Sequence, residues 1–205
     1  MHLLTNASIL GSPDDFQANV DRIHSLGAVL PIVEWAFIFI PLIFHGLIGL
    51  VIIRSGHPNA GSYPYASNIR YTLQRATGMI AFVFILWHVL NMHWLGAPLR
   101  PVDPEFFARF DPHDAASSAA AALQHSRLNQ IFYLVGVFSA IYHFSNGIWT
   151  FGITWGLWTS ASAMRRASYI SLAVGLFLGS LAIGTLWKFT TMEIPVSSRQ
   201  SVDEK

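Results

Sequence analysis

Residues 130–158, QIFYLVGVFSAIYHFSNGIWTFGITWGLW, contain no Asp, Glu, Lys or Arg and carry one histidine, His143, near their middle. A hydrocarbon core of about 30 Å is crossed by roughly 20 apolar residues wound as a helix, so this stretch has the length and character of a bilayer span. An imidazole at that depth is costly in lipid and is expected to face protein, not acyl chains. Helical spacing places Gly136, Ser139 or Ala140, His143 and Gly147 on one face, a strip of small side chains interrupted by one ring. A flat body can approach the backbone along such a strip.

Further apolar runs repeat the pattern, and spans are expected at residues 31–53, 76–95, 129–157 and 167–187. The first, PIVEWAFIFIPLIFHGLIGLVII, has Glu34 near one end, Pro41 inside it and His45 towards the other, and Arg54 closes it. The second carries His88, with His93 and Trp94 at its far interface, where amphipathic rings are expected. The last, residues 167–187, is rich in small residues and has no histidine. With 53% hydrophobic and 11% charged residues and a mean hydropathy of +0.44, the chain lies far from a soluble domain, whose charged share is nearer a quarter. The fold class is therefore all-α: a polytopic membrane helix bundle, one integral domain over residues 1–205.

Several function classes fall away. A net charge of +1 with scattered basic residues gives nucleic acid nothing to bind. The absence of cysteine excludes disulfides, thiolate metal sites and iron-sulfur clusters held by this chain alone, so the histidines are the candidate metal ligands. The first thirty residues lack a basic segment followed by an apolar one of signal-peptide type. The segment 11–26 reads as extramembrane, with a helix start at Ser12-Pro13. Residues 96–127 read as a polar connection too poor in large apolar side chains to build a core, and the tail after residue 191 as a loose polar end. Arg54, Arg70, Arg75, Arg165 and Arg166 fall on one side of the membrane, which the excess of positive charge in short loops assigns to the cytoplasm.

At about 1.5 Å per residue, His45 lies roughly 13 Å inside Arg54, a depth that His143 can share. Two imidazoles at one depth on facing helices suit the two axial positions of a haem; a structural hydrogen bond or a proton path are the alternatives. His88 lies roughly 20 Å from Arg75, nearer the other face, without a partner in any complete span. Ser145 and Asn146 read as interhelical hydrogen-bonding groups.

The strings IPLIFHGLIG, RYTLQRATGMIAFVFILWHV and IFYLVGVFSAIYHFSNGIWTFGITWG resemble the cytochrome b membrane anchor of succinate dehydrogenase, in the class with one anchor polypeptide, five helices and two haems b. The likeness runs from the first residues to about Trp187, and LQRxTG and HFSNGxWxFxxTWG are its specific parts. It implies axial histidines pairing first with third and second with fourth. His45, His88 and His143 match the second, third and fourth. The opening MHLLTNASIL looks like the outer end of the family's first helix, which makes His2 the first ligand and implies that most of a fifth, N-terminal helix is missing here. Two haems b are then expected, or one if that helix is truly absent.

The resemblance further implies an electron-transfer subunit of succinate:quinone oxidoreductase in the cell inner (cytoplasmic) membrane. It would anchor flavoprotein and iron-sulfur subunits and reduce membrane quinone. Arg75, Gln74 and Arg70 are candidates for haem propionate contacts, and Glu34 for a quinone or proton role. The rivals are the di-haem cytochrome b anchor of a formate dehydrogenase or hydrogenase, and a haem-free membrane transporter.

Overall fold

The computed structural model describes residues 2–93, 102 and 109–194. Trp94 and Arg100, and the tail from residue 195 onwards, lie outside the described residues. The elements are α1 (His2–Ala7), α2 (Pro13–His24), α3 (Leu30–Glu34), α4 (Ile40–Arg54), α5 (Ala66–Met92), α6 (Ala115–Gln124), α7 (Arg127–Thr154) and α8 (Ala161–Thr191), with no strand among the described residues. The helices long and apolar enough to cross a membrane run Gly27–Arg54, Ala66–Met92, Arg127–Thr154 and Ala161–Thr191. The protein is an all-α, multi-pass membrane helix bundle.

Local chemistry sets the helix limits. Ser12 caps α2, its hydroxyl accepting from the Asp15 backbone N–H at 3.0 Å, and Pro13 takes the first-turn position where its missing N–H costs nothing. The span Gly27–Arg54 passes through a π-helical turn at Trp35–Phe39, just ahead of Pro41. Proline removes one main-chain donor, and a widened turn accommodates the loss. At the end of α7 the chain reverses through Gly156 at φ +69°, a left-handed conformation that glycine adopts without steric cost. The Trp158 ring then folds back over Gly152, where a Cβ would collide with it, and its indole N–H donates to the Trp149 carbonyl at 2.9 Å.

The chain divides into two compact units, residues 1–32, 83–135 and 181–205 in one, and residues 33–82 and 136–180 in the other. In the first, α6 is almost wholly buried although it contains no side chain larger than leucine and glutamine. Its Ala and Ser residues let neighbouring backbone come close, and polar side chains fasten it. Gln17 Oε1 accepts from the Ala115 N–H at 2.8 Å, Gln17 Nε2 donates to the Pro112 carbonyl at 2.7 Å, and Gln124 Nε2 donates to the Phe189 and Met192 carbonyls at 2.9 Å each. The last two bonds satisfy carbonyls near the end of α8 that no helical N–H reaches. A segment that reads as a connection is thus a packed helix, because close approach here depends on small side chains, not large ones.

In the second unit α7 is central. A third of its apolar window (33%) is buried, against 6% for Gly27–Arg54, whose Phe37, Phe44 and Val51 stand outward as lipid-facing residues do. Ser171 Oγ donates to the Ser145 carbonyl at 2.6 Å, and a Cβ on Gly175 would stand 3.1 Å from Ser145 Oγ, so α7 and α8 meet along small residues.

Candidate functional site

Each unit brings together one pair of histidines. In the second unit the rings of His45, on α4, and His143, on α7, have centroids 5.9 Å apart with planes at 73°. His143 Nδ1 lies 3.0 Å from the Gln74 backbone carbonyl on α5. A carbonyl can only accept, so this shorter contact calls for the proton on Nδ1 and leaves the lone pair on Nε2, although the Gln74 amide nitrogen also lies 3.3 Å from Nδ1. Glycine at 78 is what allows the ring this close to α5: a Cβ there would stand 2.8 Å from His143 Cε1 and 2.9 Å from Nδ1. Gly46 does the same for Phe82, and Gly49, one turn beyond His45, has open space where a Cβ would be. His143 is half-buried, whereas His45 is exposed on an apolar span, a costly place for an imidazole without a ligand or a cover.

In the first unit His2, on α1, and His88, on α5, have centroids 5.8 Å apart with planes at 62°. His2 is exposed and His88 half-buried. Asn6 Nδ2 reaches the His2 ring only at 3.4 Å, a weak contact. His88 Nδ1 lies 3.1 Å from the Tyr133 hydroxyl of α7. The His88 ring also stacks on Phe84 at 5.7 Å.

These pairs fit a haem. Imidazole nitrogens bind transition metals at about 2 Å, which sets the centres of two opposed rings roughly 6 Å apart. Rings standing on opposite faces of a flat macrocycle are free to be twisted against each other, as both pairs are. Among the described residues no group of three or more His, Cys, Asp or Glu side chains converges. Each pair would supply two imidazole nitrogens to a metal and would leave its other positions to a ligand with nitrogens of its own.

Around His143 the other expected residues divide into two kinds. Arg70 is held by the protein: Nε donates to Asn146 Oδ1 at 2.7 Å, Nη1 to Ser168 Oγ at 2.6 Å, and the guanidinium lies 3.8 Å over the Trp149 ring. Gln74 is held as well, its Oε1 accepting from Asn146 Nδ2 at 2.6 Å and its Nε2 donating to the His143 carbonyl at 3.1 Å. Arg75 differs. Its guanidinium lies 3.4 Å over Tyr71, yet its buried Nε has no hydrogen-bond partner among the described residues. It lines a groove of about 290 Å³ with Ile53, Gly56, Thr72 and Met79. Glu34 closes α3 and stands immediately before the π-helical turn within its span, with no side-chain capping bond to it.

Sequence reasoning singled out neither Tyr133 as a partner of His88 nor Gly78 as one of His143. No period within one helix tells which ring on another helix will press against a glycine. Asn146 proves to join α5 and α7 through Arg70 and Gln74.

Comparisons with known proteins point the same way. Residues 53–182, which include His88 and His143, match the family described as succinate dehydrogenase/fumarate reductase transmembrane subunit. The chain is 32% identical over 188 residues, 92% of its length and 86% of the relative's, to the succinate dehydrogenase cytochrome b558 subunit of Bacillus subtilis (strain 168). No solved structure matches. A family match over more than half the chain, a relative aligned along nearly all of it, and paired imidazoles on apolar helices lead to one conclusion: the chain belongs to the succinate dehydrogenase/fumarate reductase transmembrane subunit family, as a cytochrome b membrane anchor.

Proposed function

We propose that the chain is the haem b-carrying anchor of a succinate:quinone oxidoreductase, taking electrons from an iron-sulfur subunit and delivering them to membrane quinone. The observation that carries this reading is the spacing of the imidazole couples, 5.9 Å for His45 with His143 and 5.8 Å for His2 with His88. Each couple would hold one haem b, which supplies one-electron transfer when bound.

The chain's own residues orient and shield. The Gln74 carbonyl fixes the tautomer and plane of His143, and Gly78 gives the ring its place. Arg75, with a buried and unpaired Nε, is assigned the carboxylate of a haem propionate, for which a guanidinium is suited. Gln74 and Arg70 act behind it, bracing α5 against α7 through Asn146. Glu34, beside a π-helical turn inside a span, is assigned proton delivery to quinone, since an intramembrane carboxylate needs a functional reason. The flavoprotein and iron-sulfur subunits dock on the side bearing Arg54, Arg70, Arg75, Arg165 and Arg166, which is the cytoplasmic side of the inner membrane.

The test is reduced-minus-oxidised spectroscopy of the purified, assembled complex. A low-spin b-type band that appears on adding succinate supports the reading. A complex with no bound porphyrin sinks it, and a band reduced by formate or hydrogen but not by succinate assigns the chain to a different dehydrogenase.

A further inference from the structure

Tyr133 is 5% exposed on α7, and its ring is enclosed edge-on by Phe84 and Trp87 at centroid distances of 5.4 and 5.5 Å. Its hydroxyl meets His88 Nδ1 at 3.1 Å, and the two rings stand nearly perpendicular at 86°. An imidazole that gives Nε2 to a metal keeps its proton on Nδ1, so in that state the phenol oxygen is the acceptor. A bound imidazole that donates a hydrogen bond is a more basic ligand, and a more basic ligand favours the higher oxidation state of the metal.

From this contact we infer that Tyr133 is a positioning residue for His88, holding the ring through Nδ1 and lowering the reduction potential of the haem that His88 ligates. The inference rests on the reading of His2 and His88 as an axial pair. It differs from His143, where a main-chain carbonyl does the same work; here a side chain does it, and a single substitution removes it.

Tyr133→Phe keeps the enclosed ring and deletes only the oxygen. The experiment is a redox titration of the α-band in the assembled complex, with haem content and the ferric EPR spectrum measured on the same samples. Tyr133→Phe is expected to shift one haem towards the ferrous form about three- to tenfold, a rise of roughly 30 to 60 mV for one electron, and to move that haem's EPR signal while leaving the other haem as it was. His88→Ala identifies which component this is by deleting it. Selective loss of that same haem in Tyr133→Phe also supports the inference. Two haems with unchanged potentials in Tyr133→Phe would overturn it and leave the ligand assignment standing. Loss of both haems would make Tyr133 a folding residue, which also overturns it. Retention of both haems in His88→Ala would overturn the axial assignment itself.

Discussion

Gly78 and the His143 ring are in contact to the point where no side chain fits between them: a Cβ at position 78 would stand 2.8 Å from Cε1. The obstacle is a ring tethered through Nδ1, not the far end of a flexible chain, so it cannot step aside cheaply. Gly78→Ala is therefore expected to displace His143 at an overpacking cost of about 1–3 kcal/mol. Haem per polypeptide should fall towards half in the purified anchor subunit, with the remaining haem spectroscopically normal. A full haem complement with an unchanged spectrum would contradict the packing described here.

His143→Ala removes a proposed haem ligand outright. The expected result is loss of the haem shared with His45 and failure to retain the flavoprotein and iron-sulfur subunits, read by haem assay and by the subunit content of the purified membrane complex. His45→Ala should give the same optical deficit, since either ring alone leaves the other without an iron to share. Normal haem content in either variant rules the pairing out.

Arg70→Ala takes two hydrogen bonds and a cation–π contact from the junction of α5, α7 and α8, and leaves Asn146 Oδ1 without its donor. Buried polar groups left unpaired cost about 1–3 kcal/mol each. Thermal unfolding in detergent, followed by the Soret band, should shift downwards by several degrees. Arg70→Lys keeps the charge but not the forked geometry, and is expected to recover only part of the loss.

Arg75→Gln behaves differently if its guanidinium serves a propionate. Its Nε makes no hydrogen bond within the described protein and only the stacking on Tyr71 is lost, so thermal stability of the haem-free chain should fall by about 1 kcal/mol at most, less than for Arg70→Ala. Haem affinity or potential should change instead. A variant that loses stability without affecting the haem would place Arg75 among the structural residues with Arg70.

How far the sequence reveals all this depends on the physics involved. Spans and intramembrane histidines are legible because lipid penalises polar groups, and a histidine inside residues 130–158 has few reasons to be there. The arginine contacts are less legible. Arg70 and Arg75 are only a turn and a half apart on α5, yet one spends its donors on residues 76 and 98 positions away while the other keeps a buried nitrogen unpaired. Such pairings are properties of packed helices, which no single helical period encodes. The burial of α6 was hidden for a related reason: a run of alanines and serines reads as polar filler until neighbours close on it.

The tether on His143 ends on main chain, and that has an evolutionary consequence. Every amino acid has a carbonyl, so no codon change at position 74 can erase the acceptor at 3.0 Å. The side chain there answers to a separate constraint, its bonds to Asn146 and to the His143 carbonyl, and selection on the imidazole's orientation falls on residues that fix the path of the helix. Gly78 is the first of these.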